Sequence, residues 1–221
     1  MDRPLRDIAA DDPHLAEGLV RALDGTGPAV RVLAGVGPAP DVPRRSPGHD
    51  ERPPADVHVP EGVAVVLRTS GSTGAPRDVM LSAAALRASG EAALRRLGGP
   101  GSWLLALSPD HVAGLQVLAR AALARTRAHV APAGPFRASS FAAATAALAG
   151  RGRRYTSIVP TQLVRLLDDE AGLAALRGFD AVLLGGSGTP PTLLSAARDA
   201  GVAVVTTYGS TETCGGCVYD G

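Results

Sequence analysis

From residue 63 onwards, the hydrophobic positions alternate regularly between short apolar runs and longer segments with helical spacing. The short runs are rich in valine and leucine and predict buried strands at residues 63–68, 103–107, 156–159, 181–184 and 202–207. The longer segments predict helices at residues 83–97, 115–123, 139–149, 161–167 and 191–200. Because strands alternate with helices, we expect an α/β fold with mainly parallel sheets covered by helices.

Residues with known preferences for helix ends support the boundaries of two predicted helices. Ser82 is a good N-cap for the first helix, and Glu91 and Arg95 form a favourable i,i+4 pair on it. Gly98 is suited to end that helix, and Pro191 to open the last one.

The first 60 residues have a different character. Residues 14–23 predict a short helix, and residues 30–33 form an apolar segment after a turn. Residues 37–60 are rich in proline and charge, which is typical of a loop or linker. We therefore divide the chain into an N-terminal part at residues 1–60 and a core at residues 61–221.

Three polar loops follow predicted strands, and ligands of open α/β sheets bind at the carboxyl ends of strands. The first loop consists of Thr69, Ser70, Gly71, Ser72, Thr73, Gly74, Ala75, Pro76 and Arg77. Its glycines let the backbone approach an anion, its hydroxyls can donate to phosphate oxygens, and Arg77 adds positive charge. A Ser/Gly linker is the alternative, and the lysine and spacing of a Walker loop are absent.

The second loop consists of Gly185, Gly186, Ser187, Gly188 and Thr189, and the third of Tyr208, Gly209, Ser210, Thr211 and Glu212. By itself the second loop could be any tight turn. In the third loop the tyrosine offers a flat face for a purine, Thr211 a hydroxyl for phosphate, and Glu212 an oxygen ligand for magnesium. We expect the three loops on consecutive elements of one sheet, where together they predict a nucleoside triphosphate site.

Composition narrows the classes of function. A formal net charge of +1 and an aromatic content of 3% give no basis for nucleic-acid binding. No apolar run approaches the roughly 18 residues that span a bilayer, and the N-terminal residues do not form a secretion signal. We therefore expect a cytoplasmic protein without nucleic-acid or membrane partners. All 22 basic residues are arginine, so a mechanism that needs a lysine cannot be completed by these residues alone.

The loops also resemble known signatures. Residues 67–77 resemble the phosphate loop of the adenylate-forming superfamily, which includes the acyl-CoA synthetases, and residues 208–212 resemble its second signature. Gly185 and Gly186 fall where the superfamily has an adenine-side turn, and residues 108–115 resemble its P-x-x-H-x-x-G-L segment. Within the superfamily, the segments HVAGLQVL and YGSTETCGGCVYDG are most similar to the o-succinylbenzoate–CoA ligases of menaquinone biosynthesis.

This resemblance implies a reaction and a role for each motif. ATP with magnesium would convert a small carboxylate to an acyl-adenylate, and CoA would then form a thioester. Thr69 to Gly74 would cradle the β- and γ-phosphates, Thr211 would contact the α-phosphate, and Glu212 would hold magnesium. The adenine side would be bordered by Gly185, Gly186, Ser187, Tyr208 and Gly209. His111 would lie beside the reacting carboxylate; a histidine that caps a turn is the alternative.

Two departures from the superfamily pattern stand out. Arg77 and Asp78 replace its usual Lys-Gly, and we expect the carboxylate of Asp78 to repel a polyphosphate. The superfamily continues past this point with a ribose-binding aspartate, a hinge and a mobile C-terminal domain that carries the adenylation lysine. We therefore expect a partial N-terminal domain, and a separately encoded C-terminal domain is a candidate partner.

Two other interpretations remain open at the level of sequence. The chain could be a nucleotide-binding remnant without turnover, or half of a split ligase. Cys214 and Cys217 form a C-x-x-C motif that could be a redox pair or half of a zinc site, although no second pair of ligands follows it. Within the ligase interpretation, we expect both cysteines in the wall of the acyl pocket.

Overall fold

The computed structural model describes residues 2–35, 57–69, 76–132, 134–148 and 152–220. The helices of these residues are Leu15–Leu23 (α1), Ala83–Arg96 (α2), Val112–Leu123 (α3), Ala138–Ala146 (α4), Pro160–Leu167 (α5), Glu170–Leu176 (α6) and Pro191–Asp199 (α7). The strands are Asp2–Ala9 (β1), Ala29–Leu33 (β2), His58–Pro60 (β3), Val63–Thr69 (β4), Arg77–Ser82 (β5), Gly101–Leu105 (β6), His129–Val130 (β7), Arg153–Ile158 (β8), Ala181–Leu184 (β9), Val204–Ser210 (β10) and Gly215–Tyr219 (β11). None of the helices in these ranges combines the length and the apolar character of a membrane span.

The strands form two sheets. One has five strands in the order β3-β1-β2-β4-β5, and the other has six in the order β11-β10-β9-β8-β6-β7. Every antiparallel pair involves an edge strand, namely β3, β5 or β11, and all other neighbours are parallel. The predicted α/β fold with mainly parallel sheets is therefore confirmed.

The main hydrophobic core lies between the two sheets. It joins residues of β1, β2 and β4 with residues of β6, β8 and β9 through the helices α1, α2 and α3. α3 is buried over most of its length, and its tight packing on α2 depends on Gly90, where a Cβ would meet the side chain of Leu123. A second cluster packs α4 to α7 on the other face of the six-stranded sheet. This sheet is therefore covered on both faces, so its strand ends are where polar side chains can gather.

The capping predictions for α2 are confirmed. The Ser82 hydroxyl accepts a hydrogen bond from the amide of Ala85 at 3.1 Å, and Glu91 and Arg95 lie 3.9 Å apart. Gly98 follows the helix with a φ of 89°, a conformation that favours glycine. All five strands and all five helices predicted for the core are present, with boundaries shifted by up to three residues.

The structure corrects the description of the N-terminal residues. β1 was not predicted, because its sequence alternates charges and contains a proline. In the structure, the charged side chain of Arg3 on this strand is buried and donates a hydrogen bond to the carbonyl of Val63 at 3.1 Å. The linker prediction for residues 37–60 is wrong at its end, where β3 pairs with β1; residues 36–56 lie outside the described part. β1, β2 and β3 share a sheet with β4, so strand pairing joins residues before and after residue 60. The division of the chain into two parts at that residue stays a prediction.

Candidate functional site

The candidate site lies at the carboxyl ends of the parallel strands of the six-stranded sheet. β6, β8, β9 and β10 run in the same direction, so the loops that follow them meet at one edge. A cavity of about 80 Å³ opens at this edge. It is lined by one side of α3, the end of β8, the loop after β9 and the glycines of β10 and β11.

The loop after β9 depends on its two glycines. A Cβ at Gly185 would overlap the hydroxyl of Thr207, and Gly186 has a φ of 86° that favours glycine. A second, open depression of about 400 Å³ lies beside this loop and is lined by both Ser187 and Tyr208. Tyr208 is 77% exposed, so its ring is available to a ligand. Of the residues expected on the adenine side, Ser187 and Tyr208 line this depression, whereas Gly185, Gly186 and Gly209 line the cavity. Their role stays a prediction.

The turn between β10 and β11 carries Thr211 and Glu212 and is held by hydrogen bonds at both ends. The Cys214 amide donates to the Thr211 carbonyl at 3.0 Å, and the Ser210 amide donates to the Thr213 hydroxyl at 2.9 Å. Cys214 has a φ of 56°, an unfavourable conformation for a residue other than glycine. Its carbonyl accepts hydrogen bonds from α2 and α3, which offset this strain: 3.2 Å from Ser89 and 2.6 Å from Gln116.

Glu212 is exposed at the tip of this turn. A hydrogen bond from its own backbone amide lowers the pKa of its carboxyl group, with further contributions from Ser210 and from the charge of Arg77. The carboxylate is therefore anionic at neutral pH. The influence of Arg77 places the start of β5 within electrostatic range of the β10–β11 turn.

His111 is the last residue before α3 and is exposed. Its side chain makes no hydrogen bond that caps the helix, so the turn-capping alternative is not supported. The tight turn below it depends on Gly114, where a Cβ would overlap the carbonyl of the buried Ser108.

The first predicted loop is described only at its two ends. Ser70, Gly71, Ser72, Thr73 and Gly74 lie outside the described residues. Thr69 and Arg77 face each other as the last pair of the β4–β5 hairpin, where the Thr69 hydroxyl donates to the Arg77 carbonyl at 3.4 Å. The expectation of three loops on one sheet is wrong, because β4 and β5 belong to the five-stranded sheet, whereas the other loops leave the six-stranded sheet.

Asp78 belongs to a charge network that the sequence did not reveal. On β5 it faces Arg68 of β4, whose Nε lies 2.8 Å from its carboxylate, and Arg31 reaches the same carboxylate at 3.5 Å. Arg31 also pairs with Asp7 at 2.8 Å. The hydrogen bond from Arg68 is the main cause that lowers the pKa of Asp78. The aspartate is therefore engaged by two arginines at the base of the loop.

Sequence reasoning missed the polar residues inside the cavity, above all Arg120. This arginine of α3 is 3% exposed and has no carboxylate partner among the described residues. Its guanidinium carbon lies 5.3 Å from the centre of the Trp103 ring, and one nitrogen donates to the Tyr219 hydroxyl at 3.4 Å. Its Nε and the hydroxyl of Ser157 are buried without a partner in the described part of the chain. Burial lowers the pKa of Arg120. The available signal was a single arginine in a helix whose other residues are apolar except for Gln116.

The two cysteines lie in different environments. Both are free, with Cys214 buried and Cys217 exposed, and burial raises the pKa of the Cys214 thiol. The cavity is lined by Gly215 and Gly216 between them and by neither thiol, which does not support their expected place in the wall of the acyl pocket. Within the described ranges, no three histidine, cysteine or acidic residues are grouped as metal ligands, which leaves the zinc interpretation without support.

These features define a class of protein. The chain belongs to the AMP-binding enzyme family, whose sequence model matches residues 9–221. It is 51% identical over 164 residues to a probable 2-succinylbenzoate–CoA ligase of Mycobacterium tuberculosis. That alignment covers 74% of this chain and 43% of the relative, so the chain spans less than half of the relative's length.

Solved structures agree on the fold. An o-succinylbenzoate CoA synthetase of Bacillus subtilis with a bound product analogue matches with a TM-score of 0.67 and 20% identity, over 97% of this chain and 50% of that one. A structure of the Bacillus subtilis enzyme with ATP and magnesium matches with a TM-score of 0.61 and 21% identity, over 92% and 44% of the two chains. The fold is therefore that of the N-terminal domain of adenylate-forming enzymes.

Proposed function

We propose that this chain is the nucleotide- and acyl-binding part of an ATP-dependent acid–thiol ligase that acts on o-succinylbenzoate. The name of the mycobacterial relative supports this substrate. The observation that carries the proposal is Arg120, because a guanidinium buried without a carboxylate from the described residues gains most from an anion that enters the cavity.

The substrate has the charges that such a cavity needs. o-Succinylbenzoate carries one carboxylate on its succinyl chain, which reacts, and one on its ring, which does not. Arg120 can donate two parallel hydrogen bonds to the ring carboxylate, and the unpartnered hydroxyl of Ser157 is a further donor in the same cavity. A monocarboxylate would leave these donors unpaired, so the cavity favours the dicarboxylate.

The nucleotide would occupy the surface beside the cavity. Tyr208 would border the adenine together with the loop of Gly185 and Gly186, whose lack of side chains permits a close approach. Thr211 would contact the α-phosphate, and Arg77 would add positive charge near the other phosphates. These roles follow from the resemblance to the superfamily and from the shared surface of the loops.

Two displacements would follow in order. A carboxylate oxygen of the succinyl chain attacks the α-phosphorus of ATP, and the bond from that phosphorus to the pyrophosphate breaks. The thiol of CoA then attacks the carbonyl carbon of the adenylate, loses its proton, and displaces AMP. His111, exposed at the N-terminal end of α3, would lie beside the reacting carboxylate. Most of the charge develops on phosphate, so positioning and charge neutralisation dominate over acid–base catalysis.

The residues present fit a magnesium ion. Glu212 is exposed and anionic, and carboxylate oxygens together with phosphate oxygens are the ligands that magnesium prefers. Glu212 would hold the ion, which supplies charge neutralisation for the phosphates.

Calorimetric titration of MgATP into the folded chain tests this proposal. We expect binding, and we expect Glu212→Gln to weaken it on the order of tenfold in magnesium while leaving binding of ATP without magnesium unchanged. Glu91→Gln makes the same chemical change on an exposed face of α2 and should have no effect. The proposal would be contradicted if the folded protein gave no heat of binding with MgATP. It would also be contradicted if Glu212→Gln lost as much affinity for ATP without magnesium as with it.

A further inference from the structure

Tyr219 holds a defined place between the edge strand and the cavity. It is the last residue of β11, and its ring packs against the core between the two sheets. Its hydroxyl donates to the Gly216 carbonyl at 3.2 Å and accepts from Arg120 at 3.4 Å. Because the hydroxyl proton is directed to the carbonyl, the oxygen lone pairs remain for the guanidinium.

Trp103 confines the same guanidinium from a second direction. The indole is fully buried and lies against the Tyr155 ring, with 5.0 Å between the ring centres. Arg120 lies over the indole face at a distance that permits a cation–π interaction. An arginine has five N–H donors, and these two neighbours use only part of them.

The chemical nature of the Tyr219 contact matters for selectivity. A carboxylate in its place would neutralise Arg120 and remove its attraction for an anionic substrate. A neutral hydroxyl orients the guanidinium without consuming its charge. An arginine fixed in advance also loses less side-chain entropy when a ligand binds.

We propose that Tyr219 is a positioning residue that fixes Arg120 for the second carboxylate of the acyl substrate. Tyr219 thereby sets the preference for dicarboxylates over monocarboxylates. The inference rests on the proposed function, in which Arg120 receives that carboxylate.

The test compares two non-hydrolysable acyl-adenylate analogues by calorimetry. One carries the o-succinylbenzoyl group, and the other lacks only the ring carboxylate. We expect the wild-type chain to prefer the first, and Tyr219→Phe to reduce this preference about fivefold by removing one hydrogen bond to a charged group. Binding of MgATP should not change. In the Arg120→Met background, Tyr219→Phe should have no further effect on the preference.

Tyr155→Phe is the matched control, because it also removes one buried hydroxyl, here bonded to the carbonyls of Leu97 and Gly99. It should lower the melting temperature but leave the preference unchanged. If Arg120→Met abolishes the preference and Tyr219→Phe retains it, the positioning role is refuted while the proposed function stands. If the wild-type chain shows no preference, the proposed substrate itself is refuted.

Discussion

The two halves of the candidate site are built in different ways. On the nucleotide side, the useful side chains, Tyr208 and Glu212, are exposed, and Gly185 and Gly209, which also line the cavity, leave no room for a Cβ. The acyl cavity adds buried side chains to this glycine wall, among them Arg120 of α3. Close backbone packing suits the nucleotide, which is the ligand common to the whole family. Buried side chains can differ between family members that act on different acyl substrates.

The largest expected effect concerns a charge that neither half supplies. The resemblance to the superfamily assigns adenylation to a lysine, and these 221 residues contain none. We expect the isolated chain to form o-succinylbenzoyl-CoA at a negligible rate, since loss of one such charge contact costs about 10²- to 10³-fold. Addition of a lysine-bearing C-terminal domain should restore the rate, measured as AMP and thioester by chromatography. Turnover of about one per second from the chain alone would mean that an arginine replaces the lysine.

The next effect tests the backbone character of the nucleotide surface. A Cβ at Gly209 would overlap the Gly215 carbonyl, so Gly209→Ala should lower the free energy of unfolding by about 1–3 kcal/mol and weaken MgATP binding strongly. Gly188→Ala is a matched control, since a Cβ there would meet nothing within 4 Å. Denaturant titration and calorimetry would measure both quantities. Equal behaviour of the two variants would show that close backbone approach is not what shapes this surface.

The smallest expected effect concerns the charges at the base of the first loop. Asp78→Asn should tighten ATP binding about fivefold, because it removes negative charge and frees Arg68 for phosphate. Weaker binding would show instead that the ion pair supports the loop. Asp24→Asn, which breaks the exposed pair with Arg87, is the control.

The same substitution makes a prediction about stability and pH. The pKa of Asp78 is lowered from its ordinary value of 3.8, so its stabilisation is present above that value and is lost as pH falls through the lower folded-state pKa. Asp78→Asn should therefore lower the melting temperature by a few degrees, roughly, at neutral pH, and this difference should vanish in strong acid. A difference that persists in acid would exclude the ion pair as its cause.

The contrast between the two halves also explains what the sequence could predict. Local signals such as the apolar run of β9, the Ser82 cap and the glycine loops depend on neighbouring residues, and they were sufficient for the parallel core of the fold. The role of Asp78 depends on Arg31, which is distant in sequence. The burial of Arg120 results from the packing of both sheets on α3, and this packing joins segments that are distant in sequence. The sequence around Arg120 therefore could not predict it.

The most direct measurement of the central claim is the affinity of the two acyl-adenylate analogues for the wild-type chain and for Arg120→Met. Arg127→Met makes the same change at an exposed position after α3 and serves as the control. We expect the wild type and the control to bind the analogue with the ring carboxylate on the order of tenfold more tightly than the one without it. Arg120→Met should bind both analogues equally. A preference that survives in Arg120→Met would contradict the role of Arg120, because the second carboxylate would then be recognised elsewhere.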